Sequence, residues 1–233
     1  MSPRFLAQPP ALSRPAIQRA RRVRVPSIVP FVSVQSPATT KLILASTSPR
    51  RQSLLREAGY EFAVVPPGID EDDYPQTLLP VELATFLARV KARSIAERYP
   101  DNVVLAADTV VAFGDRILGK PEDADDARRT LQLLSGTTHV VVTGVAVSHV
   151  ARRFAQERRV LSAVRMRIMS RTDVDRYIES DMWQGKAGGY GLQDGNPFIK
   201  AVVGCPTNVI GLPMSTTRML LSAAGIEPVT PKE

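Results

Sequence analysis

The chain has 233 residues, 44% of them hydrophobic and 23% charged, a composition that excludes disorder throughout and fits a folded globular protein with a real core. No run of about 18 apolar residues is present, which excludes a membrane-spanning helix. The single cysteine, Cys205, excludes an internal disulfide or a cysteine-rich zinc site and points to a reducing compartment; with only His139 and His149, a site built on several imidazoles is excluded too.

The net charge of +7 is unevenly placed. Residues 1–40 hold six arginines (Arg4, Arg14, Arg19, Arg21, Arg22, Arg24) and no acid, whereas the rest holds 24 basic and 23 acidic residues, or +1. That segment also has seven prolines and no sustained helical or alternating pattern, and reads as a disordered basic arm ahead of a folded domain at 41–228. Its arginine and serine content without acid equally fits an organelle transit peptide, a nucleic-acid-binding tail or an over-long reading of the gene start. The body carries no nucleic-acid-binding motif.

Lys41-Leu-Ile-Leu-Ala45 reads as a buried strand feeding a helix, with Ser48 as its cap, Pro49 at its first position and Gly59 past its end. A second strand is expected over Tyr60–Val65, then a proline-flanked acidic loop, then a helix over Pro80–Tyr99 carried by Leu83, Phe86, Leu87 and Val90 at helical spacing. Val103–Ala107 reads as a strand delivering Asp108 at its carboxyl end. Val110–Phe113 and Arg116–Leu118 read as a hairpin around Gly114-Asp115. Asp123–Ser135 is an expected helix closed by Gly136; Val140–Val147 and Val160–Ile168 are expected strands; and Thr172 is the expected cap of a helix ending at Ser180. The five glycines between Gly185 and Gly195 require a loop, after which Phe198–Val203 and Asn208–Leu212 resume strand character and Ser215–Ala224 closes as a helix. Interleaved strands and helices without an internal repeat predict one α/β unit with a mixed twisted sheet and flanking helices.

Several segments carry possible chemistry. Ser46-Thr-Ser-Pro-Arg50-Arg51 joins free backbone N–H groups at a helix start to two guanidinium forks, a combination suited to phosphate, although a solvated helix start has the same composition. Asp108 is a general base, a metal ligand or merely a cap. Gly114-Asp-Arg-Ile-Leu-Gly119-Lys120 fits seven positions of the P-loop pattern, but Pro121 stands where Ser or Thr must hold magnesium, so a P-loop ATPase is rejected and Lys120 is kept as a phosphate contact. Asp70-Glu-Asp-Asp73 is either a hard-cation site shared with phosphate or a solvated acidic loop. Gly185-Lys-Ala-Gly-Gly-Tyr190-Gly-Leu-Gln193 implies close backbone approach to a base or sugar, or a surface loop with one packed tyrosine. Both histidines are read as structural.

Taken in order, Ser46–Arg51, Gly68-Ile-Asp-Glu71, Lys91-Ala-Arg93, Ala107-Asp108-Thr109, Gly119-Lys120-Pro121, Leu134-Ser-Gly136 with His139 and Thr143-Gly144, the Gly185–Gln193 segment, and Gly211-Leu-Pro213 closely resemble the Maf family of nucleoside triphosphate pyrophosphatases, from about Lys41 to Gly225. The resemblance implies an elongated, two-lobed fold like that of inosine triphosphatases, with a central cleft. It implies a cytoplasmic enzyme, often dimeric, that converts a nucleoside triphosphate to the monophosphate and pyrophosphate with Mg2+ or Mn2+. By motif, Asp108 becomes the proton acceptor, Lys91 and Lys120 catalytic cations, Ser46 and Arg51 substrate contacts, and Glu71 and Asp108 the metal ligands. Arg50, Thr109 and Gln193 resemble the group acting on dTTP and UTP; the group acting on 7-methyl-GTP has tryptophan where Arg50 stands. Family members are linked to nucleotide-pool cleaning and to arrest of cell division. Gly189 and Asp194 depart from the family pattern, within the loop that contacts the nucleotide. The alternatives are the same reaction on 7-methyl-GTP or another modified nucleotide, or a non-catalytic nucleotide- or nucleic-acid-binding regulator.

Overall fold

The computed structural model describes residues 41–193 and 195–229. The basic arm and Asp194 lie outside the described residues. β1 (Leu42–Leu44) is buried between two parallel neighbours, β2 (Ala63–Val64) and β3 (Val103–Phe113). Such a strand is apolar on both faces because both faces of the sheet are covered. β4 (Arg116–Leu118), β5 (Thr138–His149), β6 (Phe154–Met166) and β7 (Ile199–Val203) add antiparallel pairs, giving the order β2-β1-β3-β5-β6-β7 with β4 on β3. The expected mixed sheet with flanking helices is thus the observed architecture.

The period of two along β3 sorts the core. Val104, Ala106 and Val110 pack with Ala88, Ala92, Leu83 and Leu87 of α2 (Pro80–Ala96). Leu105 and Ala107 face the other way, onto Leu55 of α1 (Pro49–Glu57) and Leu220 and Leu221 of α6 (Met214–Ala223). Farther along that second face, Val111 packs with Leu131 and Leu134 of α3 (Ala124–Leu134) and Val174 and Ile178 of α4 (Arg171–Glu179). Among the described residues no helix is long and apolar enough to cross a membrane.

Four expectations need correction. The two strands expected on either side of Asp108 are one continuous β3, because Asp108 and Thr109 keep extended backbone and pair with Gly144 and Thr143 of β5. Asp108 therefore stands in mid-strand, not at a strand end. Asn208–Leu212 is not a strand: Pro206 starts and left-handed Gly211 (φ 119°) stops a single turn, α5 (Pro206–Ile210). Ser170, not Thr172, caps α4, through a reciprocal pair of bonds with Asp173. The strand expected over Tyr60–Val65 shrinks to the two residues of β2.

Candidate active site

β3 has a notch. Its free side is paired by β1 only at Val103–Leu105 and by β4 only at Val111–Phe113, leaving the stretch around Asp108 open. β1 ends there because Ser46-Thr-Ser48 turns the chain into α1, where the Ser48 hydroxyl accepts the Arg51 N–H at 3.5 Å. Consecutive strand residues point to opposite faces, yet Asp108 and Thr109 line the same cavity of about 460 Å³, which opens at this gap. Ser46, Arg50, Arg51, Glu71, Lys91, Lys120 and Gln193 line it as well, so the residues to which the resemblance gives roles meet here.

On the α2 face, the Lys91 ammonium, its side chain 4% exposed, donates to Asp108 Oδ1 at 2.6 Å and contacts Glu71 Oε1 at 2.9 Å. A buried ammonium is tolerated only when paired, and two carboxylates pair this one. Lys120 Nζ reaches the other oxygen of Glu71 at 3.5 Å. Burial alone would raise the Glu71 carboxyl, but the hydrogen bond and charge of Lys91, with Lys120, outweigh it and hold the group below its ordinary value. Gly144, the cross-strand partner of Asp108, explains how α2 comes so close: a Cβ there would lie 2.3 Å from the Ala84 carbonyl oxygen.

On the other face, Arg51 is held at three points. Nε donates to the Gly211 carbonyl at 2.8 Å, one terminal nitrogen to Ser46 Oγ at 3.3 Å and the other to Thr109 Oγ1 at 3.1 Å. Burial pulls its pKa below the usual arginine value even though Asp108 opposes the shift. Guanidinium carries five N–H donors, so two remain for a ligand. Arg50 donates to the Gly185 carbonyl at 3.2 Å and ties the glycine-rich segment to the start of α1. That segment is pinned again where the Gly188 N–H meets the Gly119 carbonyl at 2.9 Å, beside Lys120.

The remaining candidates resolve simply. Asp70, Asp72 and Asp73 are exposed; Asp70 caps the Asp72 N–H at 2.9 Å, and only Glu71 of this run enters the cleft. His139 is structural, its Nε2 2.5 Å from the Tyr190 hydroxyl, and burial depresses its pKa to about 4. His149 is likewise buried. Sequence reasoning assigned no role to Thr143, Asn208 or the Gly211 carbonyl, which support Arg51 from behind; the Thr143-Gly144 and Gly211-Leu-Pro213 motifs were the available signals.

A divalent cation can be tested against this donor set. Among the described residues no three His, Cys, Asp or Glu side chains gather as a ligand cluster. Two carboxylates, Glu71 and Asp108, flank one cation position that Lys91 now fills. Magnesium is characteristically held by one or two carboxylates together with substrate phosphates and water, so the set fits that use and does not amount to a closed protein cage.

Comparison with known proteins gives a consistent result. A family model described as Maf-like protein matches residues 41–224. A dTTP/UTP pyrophosphatase of Roseobacter denitrificans is 47% identical over 188 residues, spanning 78% of this chain and 96% of that protein. Proteins of the same description from Chelativorans sp. (46% over 198 residues, 82% and 94%) and Cereibacter sphaeroides (44% over 187 residues, 79% and 95%) are similar to a like degree.

Proposed function

Because the chain belongs to the Maf-like family, we propose that its cleft hydrolyses the α–β phosphoanhydride of a nucleoside triphosphate, dTTP and UTP foremost, to the monophosphate and pyrophosphate. The observation that carries this reading is the convergence of Asp108, Lys91, Glu71, Lys120 and Arg51 on one gap in the sheet. Phosphoryl chemistry asks chiefly for positioning and for neutralised charge. Arg51 offers two directed N–H groups, Ser46 a hydroxyl beside it, and Lys120 a charge on the rim, its side chain 61% exposed.

Asp108 accepts the proton of a water whose oxygen bonds to the α-phosphorus, while the bond to the bridging oxygen breaks and pyrophosphate leaves. One carboxylate oxygen is fixed by Lys91 and the other is available for that proton. Glu71 and Asp108 would hold the divalent cation, which when bound neutralises phosphate charge. Gln193 presents its amide donor to a ring carbonyl of uracil or thymine. The lone cysteine supports a reducing, cytoplasmic setting.

Pyrophosphate release measured across dTTP, UTP, CTP and 7-methyl-GTP tests the proposal. Fastest turnover of dTTP and UTP is expected. Preference for the methylated purine overturns the substrate assignment, and inertness toward every triphosphate overturns the reaction.

A further inference from the structure

Behind Arg51 lies a run of hydroxyls whose proton positions can be deduced. Thr143 is fully buried, and its Oγ1 sits 3.0 Å from Thr109 Oγ1 and 3.0 Å from the backbone carbonyl of Asn208. A carbonyl only accepts, so the single Thr143 hydroxyl proton goes to Asn208. The contact between the two threonines must then be made by the Thr109 proton, donated inward to Thr143. Arginine only donates, so the Arg51 contact at 3.1 Å falls on a Thr109 lone pair, in agreement with this order. The Asn208 carbonyl is in turn held in place, because the Asn208 amide donates to the Val141 carbonyl at 3.1 Å and to Ser162 Oγ at 3.0 Å.

We infer that Thr143 is a positioning residue: it draws the Thr109 proton into the core, leaving Thr109 an acceptor-only oxygen toward the cleft, and so selects which pyrimidine is read there. A hydroxyl has one proton and two lone pairs; with the proton and one pair committed, Thr109 shows a ligand a single lone pair. Uracil and thymine carry N–H at ring position 3, which that lone pair accepts. Cytosine carries a bare nitrogen acceptor at the same position, and two acceptors facing each other leave both unpaired. The inference deepens the dTTP/UTP reading and rests on it. It also adds a tie to the Arg51 clamp, which uses the same oxygen.

The test compares kcat/KM for UTP and CTP in the wild type, Thr143→Ser and Thr143→Val. Serine keeps the hydroxyl and the wild-type UTP-to-CTP ratio. Valine removes the inward acceptor, frees the Thr109 proton to turn to the cleft, and lowers the ratio about tenfold. A folded Thr143→Val protein with an unchanged ratio, including one that loses activity equally on both nucleotides, overturns the proposal. Hydroxyl-proton NMR on the wild-type chain decides independently of folding in the variant or of any turnover. A slowly exchanging Thr109 hydroxyl proton with cross-peaks to Thr143 supports the assignment; one directed to the cleft and exchanging fast with water refutes it, even if every triphosphate proves inert and the functional reading itself fails.

Discussion

Replacing Gly144 by alanine tests whether the proposed catalytic constellation depends on how closely α2 approaches the sheet. The new Cβ would stand 2.3 Å from the Ala84 carbonyl oxygen and 2.6 Å from Thr85 Cα, both backbone atoms that no rotamer change can move. Ordinary contact begins at 3.4 Å, so the helix must retreat by about 1 Å, or 3.4 less 2.3. Lys91 lies on the same face about two turns beyond Ala84 and travels with it. Its 2.6 Å bond to Asp108 would then open to about 3.6 Å, past hydrogen-bonding range. Overpacking of this kind costs about 1–3 kcal/mol, or about 2–4 °C of Tm per kcal/mol for a domain of this size. A misplacement of about 1 Å costs about a hundredfold in turnover. Thermal melts and pyrophosphate release on UTP provide the assay. A folded Gly144→Ala protein with wild-type Tm and wild-type kcat/KM would refute the argument that this glycine sets the Lys91–Asp108 distance.

Asp108→Asn keeps the shape of the side chain but removes the proposed proton acceptor; turnover should fall about 10²–10⁴-fold while a non-hydrolysable UTP analogue still binds, as measured by calorimetry. Chelation of divalent cations should abolish pyrophosphate release, and added Mg2+ or Mn2+ should restore it in the wild type but poorly in Glu71→Gln. His139 gives a pH signature. Its folded pKa of about 4 lies below the unfolded value of 6.5, so the unfolded chain binds the proton first and stability is lost as pH falls from about 6.5 to about 4, with no further loss from this group below that. At about 1.4 kcal/mol per pH unit the total is about 3 kcal/mol. In His139→Gln the decline in stability between pH 6.5 and 4, followed by urea denaturation, should be shallower than in the wild type by that amount.

Much of the site could be seen in the linear chain because its parts are short and chemically distinctive. The Ser46–Arg51 turn announces itself by a cap, a proline and paired arginines, and the buried strands by unbroken apolar runs. The Asp108 environment was misjudged for a physical reason. A charged residue in mid-strand is costly unless a neighbouring strand withdraws and a cation moves in, and neither the notch nor the approach of Lys91 is a local property. The α5 turn escaped because five residues of Asn, Val, Ile, Gly and Leu carry no period long enough to tell helix from strand. The Thr143-Gly144 block marks Thr143 without showing its role, since that role depends on Thr109 across the ladder and on a carbonyl 65 positions away.

Asp108, the proposed proton acceptor, rides on an eleven-residue strand paired with its neighbour at nine successive positions, from Val104 to Ala112. It has no hinge of its own. Admission and discharge of a nucleotide therefore fall to the rims, the acidic loop bearing Glu71 and the segment from Gly185, which are tied down by single side chains and isolated backbone bonds. Turnover should accordingly respond to solvent viscosity and to changes along those rims, whereas the geometry of the cut, anchored to the stiffest beam of the sheet, stays the same from one substrate to the next.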